Sequence, residues 1–174
     1  IIDIMKNEKL AILNTIATAE GAIKEIIENT QVNVHGSKIM ILGFGRVGKT
    51  LAKKLDGLSA KITVVSKEEE ELAWAEVYGY TNVQLNKIED VIKDYDVIVN
   101  TIPHIILQGD ILQKINKDTL LLDLASGEGG INKEEAQENK INLIKALGIP
   151  GKISPITTAK ILKETIYEIL EEKK

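Results

Sequence analysis

The stretch IMILGFGRVGKTLAKKL, residues 39–55, sets four apolar residues ahead of three glycines at G-x-G-x-x-G spacing and a helix-forming run with three lysines. A short continuous apolar run is what a strand buried on both faces requires. Gly43 permits the tight turn at its end, Gly45 lets a pyrophosphate approach the backbone, and Gly48 lets the following helix pack closely on the strand. The helix N-terminus, from Gly45 through Arg46 and Val47, offers free N–H groups and the positive end of a dipole to phosphates. Strand, turn and helix together carry the reading, because the glycine spacing alone is weak evidence. Phe44, Arg46 and Val47 fall inside the turn and join its glycines as candidate cofactor-binding residues. Arg46 is the one arginine beside 21 lysines, and a guanidinium suits bidentate contact with phosphate.

The end of the next strand decides which dinucleotide is bound. A carboxylate about 20 residues beyond the turn bonds the ribose 2′-hydroxyl of NAD. The corresponding position in TVVSKEEE is Ser66, with Lys67 after it. A hydroxyl and an ammonium suit a 2′-phosphate, so the expected cofactor is NADP rather than NAD. If the strand runs further, Glu68 reaches the ribose instead.

Working outward, strands are expected at 39–42, 61–65, 82–85, 95–101, 119–125 and 141–146. Helices are expected at 18–30, 46–55, 68–79, 86–94, 132–140 and 155–170. Residues 86–94 carry Asn86 as a cap with Glu89 three positions on, and Pro155 stands at the first helical position after Ser154. Strands alternating with helices predict an α/β fold, a Rossmann-type doubly wound parallel sheet of about six strands with flanking N- and C-terminal helices. The expected organisation is one NAD(P)-binding domain over 1–174. It divides into a linker and crossover helix (1–36), a core (37–150) and a C-terminal helix (151–174). The chain is expected to be a fragment or to lack an N-terminal domain.

Ligands of such sheets lie outside the carboxyl ends of the strands. Two further loops end there, NTIPHI (100–105) and DLASGEGG (123–130). They add Thr101, Ile102, Pro103, Ala125 and Ser126 to the candidate cofactor-binding set. LGIPGK (147–152) is read as ending the sixth strand and lining the far side of the cleft. His104 is open to two readings, a proton-transfer group or an exposed loop residue, and His35 lies in the turn before the first strand. No catalytic residue stands out.

The 174 residues carry a formal charge of −4 and 3% aromatics, which provides neither a basic field nor stacking platforms for nucleic acid. No apolar run is long enough to span a membrane. Cysteine is absent, so thiolate chemistry and zinc–cysteine sites are excluded, and no metal is expected. A cytoplasmic location fits this composition.

NTIATAEGAI, VHGSKIMILGFGRVGKTLAKKL, NTIP, LLDLASGEGG and GIPGKISPITTAKIL, in this order, resemble the A subunits of dipicolinate synthases over about residues 14–170. The pattern departs from the family at Ala17, where the family has proline, and at His104. The resemblance implies NADP-dependent dehydrogenation of a dihydrodipicolinate-type precursor to dipicolinate in spore formation. It implies as partners the small-molecule pyridine-dicarboxylate precursor and a flavoprotein-like B subunit. Self-association into a homo-oligomer is also expected. A different NAD(P)-dependent 2-hydroxyacid-type dehydrogenase and a non-catalytic dinucleotide-sensing domain remain as alternatives, the latter because no acid–base pair is legible.

Overall fold

The computed structural model describes residues 3–171. A 3-10 turn, Ile4–Lys6, leads into α1 (Glu8–Asn29), and Asn7 caps it by accepting a 2.9 Å hydrogen bond from the Leu10 N–H. The alternating core follows: β1 (Lys38–Leu42), α2 (Arg46–Gly57), β2 (Lys61–Ser66), α3 (Glu69–Val77), β3 (Thr81–Gln84) and α4 (Ile88–Val91). Then come β4 (Val97–Asn100), α5 (Asp110–Gln113), β5 (Leu120–Asp123), α6 (Lys133–Glu138) and β6 (Asn142–Lys145). Two helices, α7 (Ile149–Ile153) and α8 (Pro155–Glu171), close the described chain.

All six strands pair in parallel in the order β3-β2-β1-β4-β5-β6. The order turns back between β1 and β4, so the chain leaves these neighbouring strands in opposite directions and a crevice opens at the carboxyl edge. Successive side chains of β1 alternate between two cores. Ile39 and Ile41 pack with Ala19, Ala22 and Ile26 of α1 and with Leu51 and Leu55 of α2. Met40 and Leu42 pack with Ile88, Ile92, Leu112 and Ile115 on the opposite face.

Each expected strand is present, with ends displaced by up to two residues. The helices differ more. The first begins at Glu8 instead of residue 18, because Leu10, Thr15 and Ala17 are buried beneath α2 and α8. The helix expected over 86–94 is reduced to four α-helical residues between 3-10 turns at Leu85–Lys87 and Ile92–Asp94. Asn86 is not its cap. That position falls on Lys87 without a side-chain bond, and Glu89 instead pairs with Lys114 at 2.8 Å. Residues 149–153 are the short helix α7 rather than a strand end. It packs so closely on α1 that a Cβ at Gly21 would lie 2.1 Å from Ile149 Cγ2, which gives the glycine of the TAEGAI motif a packing role.

Two close arrangements hold the crevice open. At the first, Gly43 has φ +85 and a Cβ on Gly48 would stand 2.3 Å from the Gly43 carbonyl oxygen, so β1 and α2 meet backbone to backbone. At the second, the Asp123 carboxylate is buried beneath the loops that follow β4 and β5. It accepts hydrogen bonds from Asn100 Nδ2 (2.8 Å), the Ala125 N–H (3.1 Å) and the Gly130 N–H (3.2 Å). Asn100, also buried, in turn donates to the Ile102 carbonyl and accepts from the Ile102 N–H. The two loops are therefore one hydrogen-bonded unit.

Gly48→Ala is expected to cost about 1–3 kcal/mol through overpacking against a backbone oxygen that has no room to withdraw. An unchanged melting temperature would show that strand and helix do not approach this closely. Asp123→Ala strands the Ala125 and Gly130 N–H groups, at about 1–3 kcal/mol for each donor left unpaired in the interior. Denaturant unfolding should show that loss, and a variant as stable as the parent would dissolve the link between the loops.

Candidate functional site

The crevice is a cleft of about 580 Å³ at the carboxyl edge of the sheet, within the roughly 300–1,000 Å³ usual for small-molecule and cofactor sites. The glycine turn forms its floor through Gly43, Gly45, Arg46 and Val47. Ser66, Lys67, Glu68 and Glu71 close the end beside β2, and Thr101, Ile102, Pro103, Ala125 and Ser126 close the end beside β4 and β5. Eleven of the thirteen residues singled out in the sequence therefore meet around one space.

The other two lie beneath it. Gly48 is buried against the Gly43 carbonyl. Phe44 is fully buried, its ring edge-on to Tyr78 and Tyr80 with centroids 6.1 Å away in each case. Burial, followed by the charge of Asp56, holds the Tyr80 phenol above its ordinary pKa. Thus Phe44 anchors the turn from below, and only its backbone N–H is directed at a polar group, the carboxylate of Glu71 (2.8 Å).

Gly45 tests whether the turn fits a ligand. Its backbone is ordinary extended chain, φ −72 and ψ −159, which any residue adopts. A Cβ built there would meet only Glu71 Oε1, at 3.8 Å. Neither conformation nor internal packing requires glycine at this position. The space that a side chain would fill lies in the cleft, above the first turn of α2, where helix N–H groups lack intrahelical partners. A pyrophosphate fits this arrangement.

Three expectations change in detail. The Arg46 guanidinium borders the cleft, but Nη1 donates at 2.7 Å to Glu8 of α1, so a phosphate would compete with that carboxylate. Ser66 is buried and its hydroxyl is not free. It donates to Glu71 Oε2 at 2.6 Å and accepts from the Glu68 N–H at 3.1 Å. Lys67 is exposed, with its ammonium 3.5 Å from Glu68. Glu71 was not singled out in the sequence, where it reads as one of several acids opening a helix.

At the opposite end the chemistry is sparse. Thr101 Oγ1 donates to the Leu42 carbonyl at 2.8 Å, and Thr18 Oγ1 donates to the Asn14 carbonyl at 3.0 Å. Among the described residues this end offers hydroxyls from Thr18, Thr101 and Ser126 and no titratable side chain. His104 is exposed on its loop and His35 is exposed beyond the opposite edge of the sheet, and neither lines the cleft. Leu147–Pro150 border a smaller hollow of about 130 Å³ that shares Thr18, Leu124 and Ser126 with the main cleft, which places the LGIPGK segment beside the cleft rather than across it.

A family model, D-isomer specific 2-hydroxyacid dehydrogenase, NAD binding domain, matches residues 10–139. The A subunit of dipicolinate synthase from Bacillus subtilis is 33% identical over 172 residues, 99% of this chain and 58% of that protein. The crystal structure of the Bacillus subtilis protein superimposes with a TM-score of 0.95, covering 98% of this chain and 57% of that one. The crystal structure of its Bacillus halodurans counterpart gives 0.94 at 33% identity, covering 97% and 58%. The chain thus spans somewhat over half the length of these relatives. The family match takes in the glycine turn and both loops that Asp123 joins, and the chain belongs to the D-isomer specific 2-hydroxyacid dehydrogenase family, in its NAD-binding domain.

Proposed function

We propose that this chain is the nucleotide-binding part of a dipicolinate synthase-type oxidoreductase. In this reading a dihydrodipicolinate-type precursor is dehydrogenated to dipicolinate in the cytoplasm during spore formation. The observation that carries the nucleotide site is Gly45, whose missing side chain serves the cleft and not the fold. The likeness to the A subunits of dipicolinate synthases over nearly the whole chain supports the substrate class.

A bound nicotinamide dinucleotide supplies the hydride acceptor. The chain's own residues position it. The first turn of α2 holds the pyrophosphate, Arg46 adds a cation once released from Glu8, and Thr101 and Ser126 border the nicotinamide end. The loops tied together by Asn100 and Asp123 hold that end in place. The proton that leaves with the hydride needs an acceptor near the substrate, and the described residues of the cleft offer none there. A further domain of the full-length protein supplies that group and the second wall of the substrate cleft. A flavoprotein-like B subunit completes the enzyme, and the assembly contains more than one copy of this chain. The same lack of a titratable side chain favours a second reading, a domain that senses dinucleotide without turnover.

Gly45→Val is expected to leave the protein folded with a modest drop in melting temperature, since a Cβ there meets only Glu71 while α2 loses a favourable N-cap residue. The same change should weaken NADH and NADPH binding about tenfold or more, the equivalent of one good charge-assisted contact. Equal affinities in parent and variant would remove the turn from the site. The full-length protein with its B subunit is expected to form reduced nucleotide and dipicolinate in equal amounts from a dihydrodipicolinate-type precursor, and this chain alone to bind nucleotide without turnover. Nucleotide binding without turnover in the complete assembly would favour the sensor.

A further inference from the structure

We infer that Lys145 is a positioning residue for the nicotinamide end of the cleft: its ammonium holds the middle of the loop after β5, and with it Ser126, in the place where a bound dinucleotide meets that loop. The inference rests on the reading of the cleft as a dinucleotide site and adds to it a residue from outside the cleft lining.

The end of β6 places the group. Lys145 is the last residue of that strand, in register with Asp123 of β5, which is in register with Asn100 of β4. Registered neighbours in a parallel sheet project from the same face, so the three strands end in one polar row. Asp123 ties the loop after β5 at its two ends, through the N–H groups of Ala125 and Gly130. Lys145 reaches the span between them. Its Nζ donates to the carbonyls of Gly127 at 2.7 Å and Glu128 at 2.8 Å.

That span needs the tether. Ser126, Gly127 and Glu128 are exposed, and residues 126–130 include three glycines, so the segment buries no apolar side chain and has a wide choice of backbone conformations. Among the described residues Lys145 is the one side chain bonded to residues 126–128. Gly129 shows how closely the row underlies the loop. A Cβ there would collide with Asp123 Oδ2 and stand 3.2 Å from Lys145 Nζ, so the loop lies against a carboxylate and an ammonium at once. The use of the lysine is also distinct. Lys9, Lys24, Lys54 and Lys114 each donate to a glutamate at the surface, in exposed pairs that contribute little. Lys145 alone among the described lysines donates to the main chain.

Ser126 stands between these anchors. It follows the Asp123-bound Ala125, precedes the tethered carbonyls, and borders both the main cleft and the smaller hollow beside it. A loop left free in the empty protein must be ordered when a ligand arrives, and the lost backbone entropy is subtracted from affinity. Only a ligand long enough to reach the loop bears that cost.

The test is titration of the parent and Lys145→Met with NADH and with ADP-ribose, which carries the same adenosine and pyrophosphate but lacks the nicotinamide. The reduced ring of NADH is uncharged, so loss of the ammonium's charge acts on the pyrophosphate of both ligands alike and cancels in their ratio. The parent is expected to bind NADH roughly tenfold or more tighter than ADP-ribose, and Lys145→Met to lower that ratio by roughly tenfold, the equivalent of ordering about one residue. A folded Lys145→Met with the parent's ratio, whether or not both affinities fall together, marks a merely structural lysine and overturns the inference while the dinucleotide site stands. The parent decides the matter even where the variant does not fold: equal affinity for NADH and ADP-ribose shows that the ligand gains nothing from the loop, and overturns the inference. If neither ligand binds the parent at millimolar concentration, the dinucleotide reading itself fails and the inference falls with it.

Discussion

The approach of Gly48 to the Gly43 carbonyl is the constraint on which the rest of the molecule depends. It brings the first turn of α2 directly against the end of β1, with no side chain between them. That contact aims the helix N-terminus across the carboxyl edge of the sheet, and the reversal of strand order between β1 and β4 leaves the edge open at the same point. Moving α2 outward by the width of a methyl group would tilt its N–H groups away from the cleft. It would also open a gap over Ile41, which lies 3.6 Å from the Cβ position of Gly48. Fold and site therefore share one packing requirement, and a substitution there acts on both.

The same economy governs the far end of the cleft. The loop after β4 seats Leu107 in the core, with Ile102 and Ile106 packed against it, whereas the loop after β5 is mostly small residues, and polar groups in the interior tie the two together. Asp123 is buried with three donors around it, and Asn100 satisfies both ends of the Ile102 peptide. Buried polar groups are stable only when their hydrogen bonds are complete, so this unit has one arrangement and holds Thr101 and Ser126 at a fixed spacing.

Strands were legible because parallel strands buried on both faces leave continuous apolar runs such as Ile39–Leu42 and Leu120–Leu122. What was not legible depends on contacts between segments distant in sequence. The first half of α1 mixes Asn14, Thr15 and Thr18 among apolar residues, and it is helical because α2 and α8 cover it. Gly148, Pro150 and Gly151 read as loop, yet α7 forms there because Pro150 suits the start of a helix and Ile149 seats on Gly21. Most of the cleft could be listed from the sequence because the glycine turn and the two loops are contiguous motifs. Glu71 could not, since an acid in the first turn of a helix ordinarily complements the dipole and faces water. Only the fold brings it back to Ser66.

The two ends of the cleft differ in how their chemistry is supplied. At the end beside β2, every residue that lines the cleft belongs to one strand–turn–helix–strand–helix run, residues 39–77, so the local chain completes it. At the end beside β5, the hydroxyls of Thr18 and Thr101 are already donated to backbone carbonyls. In that state each retains lone pairs that accept a hydrogen bond and no free proton to give. These two threonines present acceptor lone pairs to the cleft, and Ser126 adds a third hydroxyl there. The described residues thus bring together the glycine turn and acceptor oxygens around one cleft, with no titratable side chain at the end beside β5. Among the described residues no histidine or aspartate lines the cleft, whose glycine turn and clamped loops are otherwise intact.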